Sequence, residues 1–284
     1  MPYLRREQLA GMGSHYRYYS LDYFLQSQAE LGFKTIEMWC GLPHFILDDY
    51  GYQDTQELKK KVESYGLHIG VFTPECSMYS YLICAHDPLA QKHSMGYYTN
   101  GIKAAGEVGA KIMLTNCCGG DWKEDPERTF DRAVQVLRKL APVAEDNGVT
   151  LAVETVRPEE SRVVITLPEL KRLLDAVDHP NVKAALDVTA MGVAGETMQE
   201  WFETLGSDIR HMHFPDGRPY GHLIWATACI RWRTICSCLT IITTKVIWDR
   251  RSRTADISMI RRKLTGKISQ PSSRILNRRG RKSA

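Results

Sequence analysis

The chain has 284 residues, of which 43% are hydrophobic and 25% charged, with a formal net charge of +4. These proportions are those of a globular protein, and they argue against collagen-like, low-complexity or highly charged disordered chains. No run of 18 apolar residues and no apolar signal core occur, so we expect no membrane span and a cytoplasmic protein whose eight cysteines are reduced.

Residues 1–225 alternate amphipathic segments with short apolar runs. The amphipathic segments predict helices over residues 20–32, 55–66, 126–148, 166–180 and 196–206. Apolar runs predict strands over residues 33–39, 67–73, 110–116, 149–155, 182–188 and 208–214, with an earlier strand near residues 9–16. Glycines at positions 32, 66, 109 and 148 are expected to end helices.

Seven continuously apolar strands separated by helices favour a parallel sheet that is covered on both faces. An open doubly wound sheet rarely uses so many strands, and the phosphate-binding patterns GxGxxG and GxxxxGK[ST] are absent. We therefore predict an α/β protein with a (β/α)8 TIM barrel. Residues 1–225 would supply strands one to seven of a single domain, and the eighth unit would be missing or disrupted.

Polar residues follow the predicted strands at the end where a TIM barrel has its active site. They are Glu37, Glu75, Asn116, Glu154, Asp187, His211 and His213. Glu154, Asp187 and His213 lie on successive strands, and two carboxylates with an imidazole suit Mn²⁺, Mg²⁺, Co²⁺ or Zn²⁺. The alternative is structural: strand-end acids often cap helices or form ion pairs, and one histidine of the pair can simply be hydrogen-bonded in the core.

The order LAVE, ALDV and HMHFPDG, preceded by GFKTIEMWCGLPH and GVFTPE, resembles the sugar-phosphate isomerase/epimerase family of xylose-isomerase-like barrels. The resemblance covers residues 8–225 and is strongest to the fructoselysine 3-epimerase and ketose 3-epimerase branches. It implies that Glu154, Asp187 and His213 are metal ligands, with a fourth ligand, a glutamate, on the eighth strand. It implies substrate-binding positions at Glu37, Trp39, His44, Glu160, Asp216, Arg218 and His222.

The resemblance also implies a reaction, a divalent-metal-dependent epimerisation or isomerisation of a sugar or sugar phosphate. A proton is abstracted beside a carbonyl of a ketose or fructosamine, and a cis-enediolate forms. Glu154 acts on one face of the sugar and the eighth-strand glutamate acts on the other. Many ketose epimerases have a histidine where this chain has Ala190, so the sugar stays open. The expected partner is a small sugar, and a homo-oligomer is left open.

The segment after Trp225 does not contain the expected eighth strand. Residues 226–284 carry a net charge of +13 against −9 for residues 1–225, and they have no helical or strand period. Read one base out of frame, with permitted codons, residues 225–234 become GDGLYPLED and residues 243–252 become YKGYLGQEI. The second peptide has the character of the missing strand and contains the missing glutamate. We therefore interpret the tail as frameshifted and expect the printed chain to be inactive or insoluble.

Two other functions were weighed against this one. An endonuclease IV-like phosphodiesterase would share the barrel, but it would use three zinc ions and more histidine ligands than the strand ends here provide. A nucleic-acid-binding protein would use the basic tail, and its affinity would depend on salt. Bound-metal stoichiometry separates the first alternative from the epimerase, and deletion of residues 226–284 separates the second.

Overall fold

The computed structural model describes residues 8–76, 80–218 and 220–223, and from residue 216 onward it describes the backbone only. Within these ranges no helix combines the length and apolarity needed to cross a membrane. The predicted tail at 226–284, its frame and the eighth strand lie outside the described residues. The domain boundary at residue 225 and the frameshift therefore stay predictions.

A seven-stranded parallel sheet forms the centre of the protein. Its strands follow one another in chain order, and each pairs in parallel with the next. They are β1 Ala10–Met12, β2 Thr35–Cys40, β3 His68–Pro74, β4 Ile112–Asn116, β5 Thr150–Glu154, β6 Val182–Asp187 and β7 Ile209–His213. This order is that of a (β/α)8 barrel, and all seven predicted strands are confirmed.

Helices connect the strands and cover the sheet. They are α1 Leu21–Leu31, α2 Thr55–Ser64, α3 Pro88–Val108, α4 Pro126–Asp146, α5 Leu167–Val177, α6 Val188–Val193 and α7 Met198–Leu205. The five predicted helices are confirmed to within a few residues at each end. The amphipathic pattern does not predict α3 or α6. Helix α3 buries Gly101, Ala104 and Ala105. Because these residues are small, they form a weaker apolar stripe than leucine or valine would at the same positions.

Glycines and N-cap side chains mark the ends of the helices. The four glycines predicted to end helices all have positive φ angles, between 64° and 90°, which residues with a Cβ adopt at a cost. At the other end, the Ser20 hydroxyl accepts a hydrogen bond from the amide of Tyr23 and begins α1. Asp54 and Asp125 begin α2 and α4 in the same way.

The hydrophobic core lies between the helices and the sheet. Phe24 of α1, Leu137 of α4 and Trp201 of α7 are each 0% exposed. Full burial of one such side chain stabilises the fold by about 1.5–3 kcal/mol. The five cysteines in the described part of the chain are also buried and free, in agreement with the predicted reduced thiols. This packing fixes the positions of the strand ends.

A short antiparallel hairpin follows β7. Its strands are β8 Asp216–Arg218 and β9 Tyr220–Leu223. The hairpin begins three residues after His213, at the carboxyl-terminal edge of the parallel sheet, so its backbone continues from the edge at which the predicted site residues lie.

Candidate active site

Four of the predicted site residues lie at or near the carboxyl ends of parallel strands. Glu37 is on β2, Glu154 ends β5, Asp187 ends β6 and His213 ends β7. In the β6–β7 register Asp187 lies directly opposite His213, and in the β5–β6 register Glu154 lies opposite Ala185. Parallel pairing therefore brings these residues to one edge of the sheet.

The imidazole of His213 is the centre of this group. Its Nδ1 atom lies 2.6 Å from Glu154 Oε1 and 3.8 Å from Asp187 Oδ2. Its Nε2 atom lies 2.9 Å from Glu37 Oε1. The structure thus brings together all three residues that the resemblance implied as metal ligands, and it adds Glu37 on the opposite side of the ring.

Burial and charge act against each other in this cluster. Burial raises the pKa of Glu37, but the charges of His213 and His211 outweigh it and hold that pKa well below its usual value. For Glu154 burial prevails over His213 and raises the pKa, and the nearby charges of Asp187 and Glu37 raise it further. Burial lowers the pKa of His213, but the Glu37 and Glu154 carboxylates raise it well above the usual value. The site is a buried, predominantly anionic cluster.

Asp187 uses its two oxygens for different purposes. Its Oδ1 accepts hydrogen bonds from the amides of Thr189 at 2.6 Å and Ala190 at 2.9 Å, which begins helix α6. Its Oδ2 is the oxygen nearest His213. Asp187 can therefore cap helix α6 and serve as a metal ligand at the same time, because each role uses a different oxygen.

The donor atoms are suited to a divalent cation. One atom each from Glu154, Asp187 and His213 lie within 4.8 Å of one another, and the same is true of Glu37, His211 and His213. Carboxylate oxygens with one imidazole nitrogen are a donor set used for Mn²⁺, Mg²⁺, Co²⁺ and Zn²⁺, and a cation would offset the clustered negative charge. The residues present fit a divalent metal, whose identity they leave open.

His211 is one of the predicted strand-end polar residues, but no ligand or substrate role is predicted for it, and Thr73 is not predicted at all. His211 Nε2 lies 2.9 Å from Glu37 Oε2, and Thr73 on β3 donates a hydrogen bond to Glu37 Oε1 at 2.7 Å. Residues two apart on a strand share a face, so the HMH pattern puts His211 on the same side as His213 and is a signal for it. No local pattern pointed to Thr73, because its partner is 36 residues away on another strand.

Two of the predicted substrate-binding residues form an aromatic corner near β2. The indole of Trp39 donates to Glu75 Oε2 at 3.1 Å, and its ring meets His44 edge-on with centroids 5.8 Å apart. His44 also stacks on Phe24, and burial lowers the pKa of His44. A partly buried indole beside an imidazole is a surface against which the apolar face of a small polar ligand can pack.

Four more of the seven predicted substrate-binding residues follow β5 and β7, and the seventh is Glu37, the buried carboxylate beside His213, whose predicted contact with substrate stays a prediction. Glu160 accepts hydrogen bonds from the backbone amide and guanidinium of Arg157, each at 3.0 Å, which fixes its carboxylate in the loop after β5. Asp216, Arg218 and His222 lie in the β8–β9 hairpin, where the backbone alone is described. Their predicted roles stay predictions.

Comparison with known protein families shows which family this chain belongs to. Residues 25–239 match the family described as Xylose isomerase-like TIM barrel. The chain belongs to this family. The match begins within α1 and continues past the β8–β9 hairpin, so it includes every strand that carries a residue of the candidate site.

Known members of the xylose isomerase-like family resemble this chain at low identity. Fructoselysine 3-epimerase of Shigella flexneri is 27% identical over 196 residues, which are 69% of this chain and 71% of the relative. D-psicose 3-epimerase of Ruminiclostridium cellulolyticum is 25% identical over 213 residues, or 71% of this chain and 70% of the relative. The solved structure of an L-ribulose 3-epimerase superposes with a TM-score of 0.72 at 18% identity, covering 91% of this chain and 93% of that one. The last of these supports the fold alone.

Proposed function

We propose that this xylose isomerase-like protein is a divalent-metal-dependent 3-epimerase of a ketose or a fructosamine. The observation that carries the proposal is the convergence of Glu154, Asp187 and His213 at one edge of the sheet. The two curated relatives are named as 3-epimerases of fructoselysine and of D-psicose, which supports the substrate class and the reacting carbon.

The proposed roles follow from the chemistry of each side chain. Glu154, Asp187 and His213 would hold the metal, together with the glutamate predicted on the eighth strand. When bound, the cation would polarise the carbonyl and hydroxyl oxygens of the sugar. Trp39 and His44 would contact the sugar ring, and Glu160, held by Arg157, would accept hydrogen bonds from its hydroxyl groups.

Epimerisation requires a proton to leave one face of the carbon and to return on the other. Glu154 is proposed to exchange the proton on one face, because its carboxylate is at the strand end beside the other proposed ligands. The second acid/base would be the eighth-strand glutamate, outside the described residues. Removal of the proton leaves an enediolate on the substrate, and reprotonation by the opposite acid inverts the carbon.

The test is an epimerase assay in D₂O. D-psicose, D-fructose, D-tagatose and fructoselysine are incubated separately with Mn²⁺-loaded and EDTA-treated protein, and NMR follows inversion and deuterium incorporation at C3. We expect both signals with one of these sugars in the frame-restored chain, and neither after EDTA treatment. A folded, Mn²⁺-loaded, frame-restored chain that exchanges no C3 proton in any of these sugars contradicts the proposal.

An endonuclease IV-like phosphodiesterase remains the second candidate, because Glu37, His211 and His213 form a second group of donor atoms. The metal content of the purified protein separates the two functions. One bound ion per chain supports the epimerase, whereas three zinc ions with cleavage of an abasic DNA duplex support the phosphodiesterase. Nucleic-acid binding through the tail stays the disfavoured alternative, self-association stays open, and a cytoplasmic location stays a prediction.

A further inference from the structure

We infer that Glu37 is a positioning residue that holds the His213 ring through Nε2, so that Nδ1 faces the proposed metal site. The inference rests on the proposed function and gives Glu37 a defined role within it. It concerns which nitrogen of His213 is available as a ligand, and it identifies a carboxylate that acts through the histidine rather than by contact with the sugar.

Glu37 is in a position to perform this role. It is 2% exposed, and both of its oxygens are hydrogen-bonded. Oε1 accepts from Thr73 Oγ1 at 2.7 Å and pairs with His213 Nε2 at 2.9 Å, while Oε2 pairs with His211 Nε2 at 2.9 Å. A carboxylate held at both oxygens by three side chains from β3 and β7 cannot rotate without breaking at least one of these contacts.

The two nitrogens of His213 face different groups. Nε2 faces Glu37, whereas Nδ1 faces Glu154 at 2.6 Å and Asp187 at 3.8 Å. An imidazole that donates Nε2–H to a carboxylate keeps the lone pair of its other nitrogen for a metal. If the Nε2–H bond to Glu37 is kept when a metal binds, Nδ1 is the nitrogen that faces the Glu154 and Asp187 oxygens and would serve as the ligand.

Thr73 supports this arrangement from a third strand. Thr73 is 5% exposed, and its hydroxyl donates to the same Glu37 oxygen that pairs with His213. Loss of the Thr73 hydroxyl would free that oxygen to turn away from His213 while leaving every proposed ligand intact. Thr73 thus allows the Glu37 contact to be weakened without changing the charge of the site.

The test measures Co²⁺ affinity by visible absorption in the full 284-residue chain, with the frame-restored chain as a second background. Glu37→Met removes both acceptor oxygens, Glu37→Gln keeps one, and Thr73→Val removes the supporting hydroxyl at nearly constant volume. Thr115→Val is the matched control, because Thr115 is as buried on β4 and its hydroxyl makes no hydrogen bond to Glu37 or His213 among the described residues. Far-ultraviolet circular dichroism of the metal-free proteins verifies folding.

We expect Glu37→Met to weaken Co²⁺ binding by about 10- to 100-fold, the usual effect of removing a group that orients a ligand. Glu37→Gln and Thr73→Val are expected to lie between Glu37→Met and the unmodified protein, and Thr115→Val to bind normally. In the Zn²⁺-loaded protein labelled with ¹⁵N-histidine, we expect His213 to carry its proton on Nε2 and to coordinate through Nδ1.

Unchanged Co²⁺ affinity in folded Glu37→Met and Thr73→Val, or Zn²⁺ coordination through His213 Nε2, would overturn the inference. Failure of the proposed reaction has a different signature. A frame-restored chain that binds Co²⁺, loses affinity in Glu37→Met and exchanges no C3 proton supports the positioning role and contradicts epimerisation. A folded chain with no Co²⁺ affinity contradicts both.

Discussion

His213 Nδ1 lies 2.6 Å from Glu154 Oε1, although 59 residues separate the two in the chain. They meet because β5 and β7 both flank β6 in a parallel sheet, where carboxyl ends share one edge. Asp187 at the end of β6 lies between them in the strand order. The contact therefore depends on the pairing of three strands, and each residue can be changed without altering the strand order.

Glu154→Gln is expected to impair chemistry and metal binding together. Glutamine is close to glutamate in size but supplies neither the negative charge nor the proton exchange proposed for this residue. We expect C3 deuterium incorporation to fall by at least about 100-fold, the lower end of the range for a general acid/base. Co²⁺ affinity should fall in parallel. Normal C3 exchange in this variant would show that Glu154 is not the proton acceptor.

Asp187→Asn is expected to separate the helix cap from the proposed ligand. Asparagine is as good a helix N-cap as aspartate, so the free energy of unfolding of the metal-free protein should change by less than about 0.5 kcal/mol. Co²⁺ affinity should fall, because the charge of Oδ2 is lost. Asp187→Ala is the comparison, since it also loses the bonds to Thr189 and Ala190 and should cost a further ~0.5–2 kcal/mol. Equal destabilisation in urea by both variants would contradict the assignment.

The ion pair between Glu124 and Arg132 is expected to make stability depend on acid pH. Hydrogen bonding to Arg132, aided by Thr129 and His86, lowers the pKa of Glu124 from 4.5 to about 2. A carboxyl whose pKa is lower in the folded state stabilises the protein above its unfolded pKa, and the stabilisation is lost as pH falls. We expect the unmodified protein to have a higher Tm than Glu124→Gln at pH 7, with the difference disappearing between about pH 4.5 and pH 2.

The control for this pH series is Glu63→Gln, because Glu63 is an exposed glutamate of α2. It should show no comparable change in Tm between the two pH values. A Tm difference between Glu124→Gln and the unmodified protein that stays constant from pH 7 to pH 2 would mean that ionisation of Glu124 does not stabilise the fold.

Sequencing the gene across codons 220–255 tests the predicted frameshift. We expect one extra or missing base, whose correction restores GDGLYPLED and YKGYLGQEI. The corrected chain should remain soluble and epimerise a ketose or fructosamine, whereas the printed chain should not, because it lacks the fourth ligand and the second acid/base. A confirmed frame, or a soluble printed chain that epimerises one of these sugars, contradicts the interpretation.

The sequence was sufficient for the fold because its signals are local. Apolar runs such as residues 149–155 and terminating glycines such as Gly148 identify strands and helix ends from a few neighbouring residues. Helices α3 and α6 were the exceptions. The buried face of α3 contains Gly101 and Ala104, which do not produce a strong apolar period, and α6 has only six residues. The Glu154, Asp187 and His213 group was also predictable, because strand ends in a parallel sheet share an edge.

By itself the sequence determined the alternation of strands and helices, and hence which polar residues share the carboxyl-terminal edge. Only the tertiary structure decided which atom of each side chain makes which contact. One oxygen of Asp187 caps α6 and the other faces His213. One nitrogen of His213 pairs with Glu37. Glu37 and His213 are 176 residues apart. Their contact depends on the curvature of the sheet between β2 and β7 and on side-chain orientation, neither of which is encoded in a local pattern.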